Sequence, residues 1–388
     1  MKPDRLRIIR LARGLSMEEL AHAMGGLVSK QAISKYEKGL DIPRPTVLRA
    51  LARALGVGAM TLVTPASLEI QFLGWRKRSR MGKREQETLQ ALVTRRLEER
   101  FSLQQRVMPS ARVGIEPQTK SIATAEEAEK AAAELRREWD LGHSPIGDLT
   151  AVLEERLIHV LLVEAPDTFD GIPASGTGVD GSLSLAAIAL RRGMPGDRQR
   201  LSAAHELGHL ALKPSKNIDE EKAAYRFASS LLAPAPSLKT DTGEHRTYIS
   251  IPELLALKRK YGLSIQALLR RLLDLGIITA TYYTQWCREI ARRGWRVQEP
   301  CPLPSEEPQW LERTVWRALG EGLIDARMAE GLLGRPVPAA STDEDHWRTM
   351  FAKLPPALRR DWLRREAGQL KQHYETDAEV HEWENINP

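Results

Sequence analysis

Two histidines and a glutamate lie at a spacing that suits metal-assisted hydrolysis, in His205-Glu206-Leu207-Gly208-His209. Side chains four apart on a helix share one face, so both imidazoles can bind a single zinc ion. Glu206, between them, is placed to take a proton from a water beside that metal and return it to a leaving amine. Leu201, Ala204, Leu207 and Leu210 give the same helix an apolar flank. A third ligand must come from elsewhere in the chain. Asp219-Glu220-Glu221 opens a further apolar helix that continues to Pro234. One loop between antiparallel helices brings either Glu220 or Glu221 within reach. For the pentapeptide taken alone, an amphipathic helix with two surface histidines is the competing reading.

A second group of side chains suits a polyanion. Ser29 precedes the helical stretch Lys30-Gln31-Ala32-Ile33-Ser34-Lys35-Tyr36-Glu37, joined by Gly25-Gly26-Leu27-Val28 to an earlier helix, Met17 to Ala23. In a helix-turn-helix, the N-terminal residues of the second helix meet base edges in the major groove. Gln31 can pair with adenine, and Lys30 and Lys35 can reach guanine acceptors. Ser29, Ser34 and the helix-start N–H groups suit phosphate. Ala32, Ile33 and Tyr36 are expected to face the core. Residues 1–110 hold 21 Lys and Arg against 10 Asp and Glu, while the other 278 hold 36 against 41. Such an excess suggests a polyanion as partner of the first quarter, although a solvated basic surface gives the same count; with the helix-turn-helix pattern the expected polyanion is double-stranded DNA.

Positioning these groups requires two kinds of element. The first 60 residues break into short helices punctuated by Gly14, Gly25-Gly26, Gly39 and Gly56, with Ser16 and Glu19 in capping-box spacing. Around the histidines, Ile158–Val163 is a β-like apolar run, Gly171 to Gly181 reads as a glycine-rich loop, and residues 183–190 read as a second strand. That second strand could be an edge that holds an extended peptide. After Arg198 the pattern is helical to the end, interrupted by Gly294-Trp295 and by Pro300, Pro302, Pro304 and Pro308.

The chain has 388 residues, 42% hydrophobic and 28% charged, with net charge +6. That is the composition of a soluble protein with more than one domain. No stretch approaches the roughly 18 apolar residues of a membrane span. The N-terminus lacks the apolar segment of a signal peptide, so a cytoplasmic location without membrane contact is expected. Cys287 and Cys301 offer neither a disulfide framework nor a cysteine-rich zinc site.

The N-terminal pattern resembles the Cro/C1-type helix-turn-helix of the XRE family. The supporting residues are Leu15-Ser16-Met17-Glu18-Glu19-Leu20-Ala21, Ile33-Ser34-Lys35-Tyr36-Glu37-Lys38-Gly39, and Pro45 with Leu51 and Leu55-Gly56-Val57. The second signal resembles the ImmA/IrrE metallopeptidases, in which the HExxH helix is followed by Glu-x-x-Ala-x-x-Phe-Ala-x-x-Leu-Leu-x-Pro. Glu221, Ala224, Phe227, Ala228, Leu231, Leu232 and Pro234 match that form one by one. The resemblance makes Glu221 the third zinc ligand, with His205 and His209, and Glu206 the catalytic base; Glu220 is the competing ligand. Tyr225 departs from it, since the family usually has Asn there. Gly142-His143-Ser144-Pro145-Ile146, Phe169-Asp170-Gly171, Arg198-Gln199-Arg200 and Lys258 to Leu268 also resemble the family, so the likeness extends over roughly residues 1–300.

The expected fold is mainly α. It has a helix-turn-helix domain at 1–62, a basic helical linker at 63–112, and an α+β zincin-like domain with a small sheet at 113–299. A helical region of no readable motif follows at 300–388. The expected function is a DNA-binding regulator with a zinc endopeptidase domain, acting as a homodimer and cutting a repressor or antitoxin-like protein. The alternatives are a sensor that uses the zincin-like domain without proteolysis, and an antitoxin with a toxin partner. Lys258–Leu275 has its own helix-turn-helix look, for which packing inside the second domain is the favoured reading. His143 and His245 are candidates to stabilise an oxyanion, with a surface or core role favoured for each. The basic run 75–84 is a candidate phosphate grip or a solvated linker. Trp310, Trp316, Trp347, Trp362 and Trp383 are expected as core or interface residues.

Overall fold

The computed structural model describes residues 3–65, 67–73, 81–179, 181, 184–337 and short stretches between 351 and 364. Most of the basic run at 75–84, and Trp347, Trp362 and Trp383, lie outside the described residues. The chain divides into two compact units, Met1–Leu323 and Ile324–Pro388.

The first unit opens with α1 (Pro3–Ala12), α2 (Met17–Ala23), α3 (Lys30–Glu37), α4 (Pro45–Ala54) and α5 (Ala59–Val63). None is long enough to be stable alone; they form because their apolar faces meet. Leu6, Ile9, Leu20, Ile33, Leu51, Leu55 and Leu62 make that shared core. The Ser16 hydroxyl accepts from the Glu19 N–H at 3.1 Å and the Glu19 carboxylate accepts from the Ser16 N–H at 2.6 Å, so the capping box read from the sequence is formed. Gly25 and Gly26 turn the chain at φ 67° and 75°, where a side chain would be strained.

Strand β1 (Leu68–Phe72) and helix α6 (Lys83–Val107) come next. They correct the expectation of a linker at 63–112. β1 pairs into a sheet, and Leu89, Val93, Leu97 and Phe101 of α6 pack on that sheet. The apolar face of α6 was obscured by its many charged residues. Several of these bind the helix-turn-helix: Arg5 pairs with Glu98, and Arg7 with Glu87 at 3.0 Å. Helix α6 therefore lies between the first five helices and the sheet.

The remaining elements of the first unit are β2 (Lys120–Ile122), α7 (Ala125–Glu138), α8 (Leu149–Glu155), β3 (Ile158–Val163), β4 (Gly171–Gly178), β5 (Ser184–Arg191) and α9 (Gly196–Ala211). They continue through β6 (Leu212–Pro214), α10 (Glu220–Leu232), α11 (Ala235–Thr242), α12 (Ile251–Tyr261), α13 (Ile265–Asp274), α14 (Ala280–Arg292) and α15 (Trp310–Gly320). The main sheet has the order β1-β4-β5-β3, with β3 parallel to β5 and the other pairs antiparallel. β2 and β6 form a separate parallel pair. Side chains alternate across the main sheet. Leu161, Val163, Leu185, Ala187 and Ala189 face α6, whereas Val160, Leu162, Ala186, Ile188 and Leu190 join the cluster built by the helices on the other face.

Two strand expectations need correction. The strand expected at 183–190 as an edge is β5, which is paired on both sides. The glycine-rich stretch from 171, expected as a loop, is strand β4. Its glycines sit where neighbours come close: a Cβ on Gly176 would meet Leu68 at 3.0 Å, and one on Gly171 would meet Glu206 at 2.9 Å. Strand propensity depends on such surroundings more than on the residue itself.

The segment 258–275 packs inside the first unit. α12 ends at Gly262 (φ 65°), and Ile265, Leu268, Leu269 and Leu272 of α13 are fully buried. Residues 300–323 belong to this unit too. The Glu306 carboxylate accepts the Leu149 and Thr150 N–H groups at the start of α8, and Glu154 accepts the Gln309 and Trp310 N–H groups at the start of α15. In the second unit, α16 (Ala326–Leu333) is capped by Asp325 and stopped by Gly334 at φ 68°. Among the described residues, no helix is long and apolar enough to cross a membrane.

Candidate functional site

Helix α9 presents His205 and His209 on one face, one turn apart, with their Nε2 atoms 3.1 Å from each other. Helix α10 supplies the third group. Its N-cap, Asp219, accepts from the Glu221 and Lys222 N–H groups at 3.1 and 3.3 Å, which fixes the first turn. From that turn Glu221 reaches back to α9. Its Oε1 lies 3.1 Å from His209 Nε2, and its Oε2 lies 3.3 Å from His205 Nε2. Glu220 is exposed and borders an adjoining cavity instead.

Close packing of the two helices allows this reach. Gly208 lies against the backbone of α10, where an added Cβ would stand 3.3 Å from Ala224 Cα and 3.2 Å from the Phe227 ring. Leu207, Leu210, Ala224, Phe227 and Leu231 are fully buried around the crossing. Behind it, the buried Arg136 ties α7 to the Leu231 carbonyl and to the carbonyls of Gly142 and Ser144.

His205, His209 and Glu221 each offer one donor atom, and these atoms all lie within 4.8 Å of one another. Tetrahedral zinc with bonds of about 2.0–2.1 Å separates its ligand atoms by about 3.3–3.4 Å. The two Nε2 atoms are 3.1 Å apart, slightly inside that figure, and Glu221 presents a different oxygen to each imidazole, Oε1 at 3.1 Å to His209 and Oε2 at 3.3 Å to His205. Two imidazoles and one carboxylate also make a donor set typical of zinc sites with an open fourth position.

The triad lines a cleft of about 300 Å³ that opens between α9, α10 and the start of β4. Glu206 lines the same cleft and is buried. Burial, aided by the neighbouring Asp170, pushes its carboxyl up to about 8. A cation held by the triad would favour the carboxylate again. Glu206 is packed under β4 because Gly171 leaves it space. Asp170 is held by Arg198 through two contacts of 2.8 and 3.0 Å. Tyr225 stands with its ring 4.1 Å from that of His205 and is half exposed at the cleft. His143 and His245 are both exposed, and neither lines the cleft. Leu73, the residue after β1, borders the cleft, a placement that no local sequence signal carries.

The helix-turn-helix offers a polar face. Lys30, Gln31 and Lys35 are exposed, Ser34 is half buried, and Ile33 and Tyr36 are buried in the core. Ala32 packs partly buried against that core. Ser29 is exposed, but its hydroxyl already accepts the Ala32 N–H at 3.3 Å as the cap of α3. A buried pair ties the end of this helix to α1. Arg10 of α1 donates to both oxygens of Glu37 at 2.6 and 2.9 Å, and to the Leu15 carbonyl at 2.6 Å. Sequence reasoning missed that pair, because a charge at either position looks like ordinary surface.

Comparison with known families gives two matches. Residues 6–60 match the family model described as helix-turn-helix. Residues 175–273, which include the triad and Glu206, match the one described as the IrrE N-terminal-like domain. Among curated proteins, none matches the chain.

Proposed function

Because the chain joins an XRE-type helix-turn-helix to an IrrE/ImmA-like domain of a metallopeptidase family, we propose that it is a DNA-bound regulator whose second domain is a zinc-dependent endopeptidase. The observation that carries this reading is the convergence of His205, His209 and Glu221 beside a buried Glu206 in one cleft. In this reading the triad would hold zinc, which supplies a polarised peptide carbonyl and an acidified water. Glu206 accepts a proton from the attacking water and passes it to the departing amine. Its burial under β4 keeps it beside the cleft and out of competing ion pairs. Asp170 and Arg198 fix the strand start above it. Tyr225 packs against His205 and so holds the imidazole in its ligating pose.

Lys30, Gln31, Ser34 and Lys35 would contact an operator, with the start of α3 at phosphate. Binding as a dimer to two half-sites about one helical turn apart is the expected arrangement. The substrate class proposed by family resemblance is a repressor or antitoxin-like protein, cut in a stress, prophage or defence response. A protease tethered at its operator meets such a DNA-bound substrate at high effective concentration.

The test compares the zinc-loaded protein with its Glu206→Gln and His209→Ala variants, using metal analysis and a mixture of denatured proteins as substrate. Zinc should stay with Glu206→Gln and leave with His209→Ala, and both should lose hydrolysis. Zinc bound at one equivalent with hydrolysis unchanged in Glu206→Gln would refute the role of Glu206. Zinc bound without hydrolysis in the parent protein would turn the reading to a non-proteolytic sensor.

A further inference from the structure

The edge of β4 that leads into the cleft is already paired. β1 lies antiparallel on it, in a register from Leu68 with Gly178 to Phe72 with Ala174. The Leu73 N–H extends the ladder by donating to the Pro173 carbonyl at 3.1 Å, two residues from Gly171, against which Glu206 packs. Alternate residues of β1 face opposite ways. Leu68, Ile70 and Phe72 pack on the α6 side, whereas Leu73 belongs to the cluster that contains α9 and α10. Leu73 borders the cleft of the triad, and also a neighbouring cavity of about 180 Å³ bounded by Gly208, His209, Lys213 and Glu220. It thus stands between two cavities that share His209.

An extended peptide that adds to a strand edge makes this same ladder, with alternate side chains entering pockets. We propose that the last residues of β1, with Leu73, occupy the place on β4 that a peptide substrate takes. The substrate is an extended segment antiparallel to β4 with a large aliphatic residue in the position of Leu73, and the chain's own strand competes with it. This rests on the endopeptidase reading above and adds the substrate's form and a built-in control. Burial differs along the strand. Leu68 is 4% exposed among the α6 residues, whereas Ile70 and Phe72 are only partly buried and Glu69 and Gln71 are exposed. Leu68 anchors the strand at α6; Leu73, 7% exposed, is itself buried, so residues 71–73 yield when the substrate's aliphatic side chain takes the place of Leu73. A competitor within the chain lowers apparent affinity by the fraction of time the edge is open.

The test uses the zinc-loaded full chain carrying Glu206→Gln, so that binding is read without hydrolysis. The probe is a capped, fluorescent hexapeptide with the sequence of residues 68–73, Leu-Glu-Ile-Gln-Phe-Leu. Two further substitutions weaken the resident strand: Leu73→Ala removes the side chain between the cavities, and Gln71→Pro removes an N–H two residues from the Leu73 bond, in the same class of strand pair. Each should bind the probe at least tenfold more tightly than the parent. In the parent, bound probe should speed hydrogen exchange at the Gln71 and Leu73 amides. Thermal melts check folding, and Gln71, being exposed, carries the test if Leu73→Ala unfolds. Equal probe affinity in all three proteins, with unchanged exchange, overturns the proposal. Failure of the endopeptidase reading is seen separately, as absence of cleavage by the zinc-loaded protein with Glu206 intact.

Discussion

Replacing Gly208 tests whether the close crossing of α9 and α10 sets the triad. A Cβ at this position would sit 3.2 Å from Phe227 Cδ1 and 3.3 Å from both Cα and the carbonyl oxygen of Ala224. Unstrained carbon contacts lie at about 3.5–4.0 Å. The backbone of α10 has no rotamer by which to step aside, so the helix must move out by a few tenths of an ångström. Overpacking of this kind costs about 1–3 kcal/mol. Alanine in a helix interior recovers about 1 kcal/mol relative to glycine. The net loss for Gly208→Ala is therefore about 0–2 kcal/mol, a small fraction of a domain's stability. Zinc affinity should change more. Glu221 lies one turn before Ala224 on the displaced helix, and its contacts of 3.1 and 3.3 Å to the imidazoles leave little slack. Disturbing groups that orient a metal ligand weakens binding by about 10–100-fold. The assay is zinc competition against a chromophoric chelator, with urea melts of the metal-free protein as the stability control. Gly208→Val, which adds two more carbons, should show a larger loss of both. Parent-like zinc affinity in Gly208→Val would refute the claim that this crossing places Glu221.

Other outcomes follow from single features. Glu37→Gln or Arg10→Met leaves the other member of a buried ion pair uncompensated, at a cost of about 3–5 kcal/mol, seen as a lower urea midpoint for the helix-turn-helix probes and weaker DNA binding. The double variant Lys30→Ala with Gln31→Ala should lose about 1–3 kcal/mol per base contact on a selected operator, and unchanged operator affinity would sink the assignment of α3. His159 is buried against Gln104 and Trp310, and burial, with Arg100 nearby, holds its pKa well below the ordinary 6.5. Below 6.5 the unfolded chain takes up a proton that the folded chain refuses, so stability falls as pH drops through that value, by up to about 1.4 kcal/mol per unit. Between pH 7.5 and 5.5 the urea midpoint of the parent should drop relative to that of His159→Phe; the opposite contribution of Glu206, whose carboxyl is raised to about 8, is common to both and cancels in the comparison.

The position of α6 gives the two parts of the first unit a shared support. Phe101 and Leu97 hold it to the sheet, while Glu98 and Glu87 receive Arg5 and Arg7 of α1. The sequence shows α6 as a charged helix only. Its charged residues are spread over its surface, and those that bind α1 look no different from those that face water.

What the sequence determined is what local spacing controls. The i, i+4 histidines, the Ser16 and Glu19 capping box and the glycine turns depend on neighbours a few residues apart, where helix geometry is fixed. The match of Glu221 through Pro234 to a family form singled out Glu221 as the expected third ligand, because spacing alone leaves Glu220 and Glu221 only one helical step apart. Tertiary structure alone decided the rest. Gly171 to Gly178 became a strand because β1 and β5 pair with it and because Leu68 and Glu206 fill the space its glycines leave. Leu73 came to the cleft, and Arg10 to Glu37, through contacts between residues far apart in the chain. Such contacts cost chain entropy that local pattern does not reveal, and they form only when the whole core closes around them.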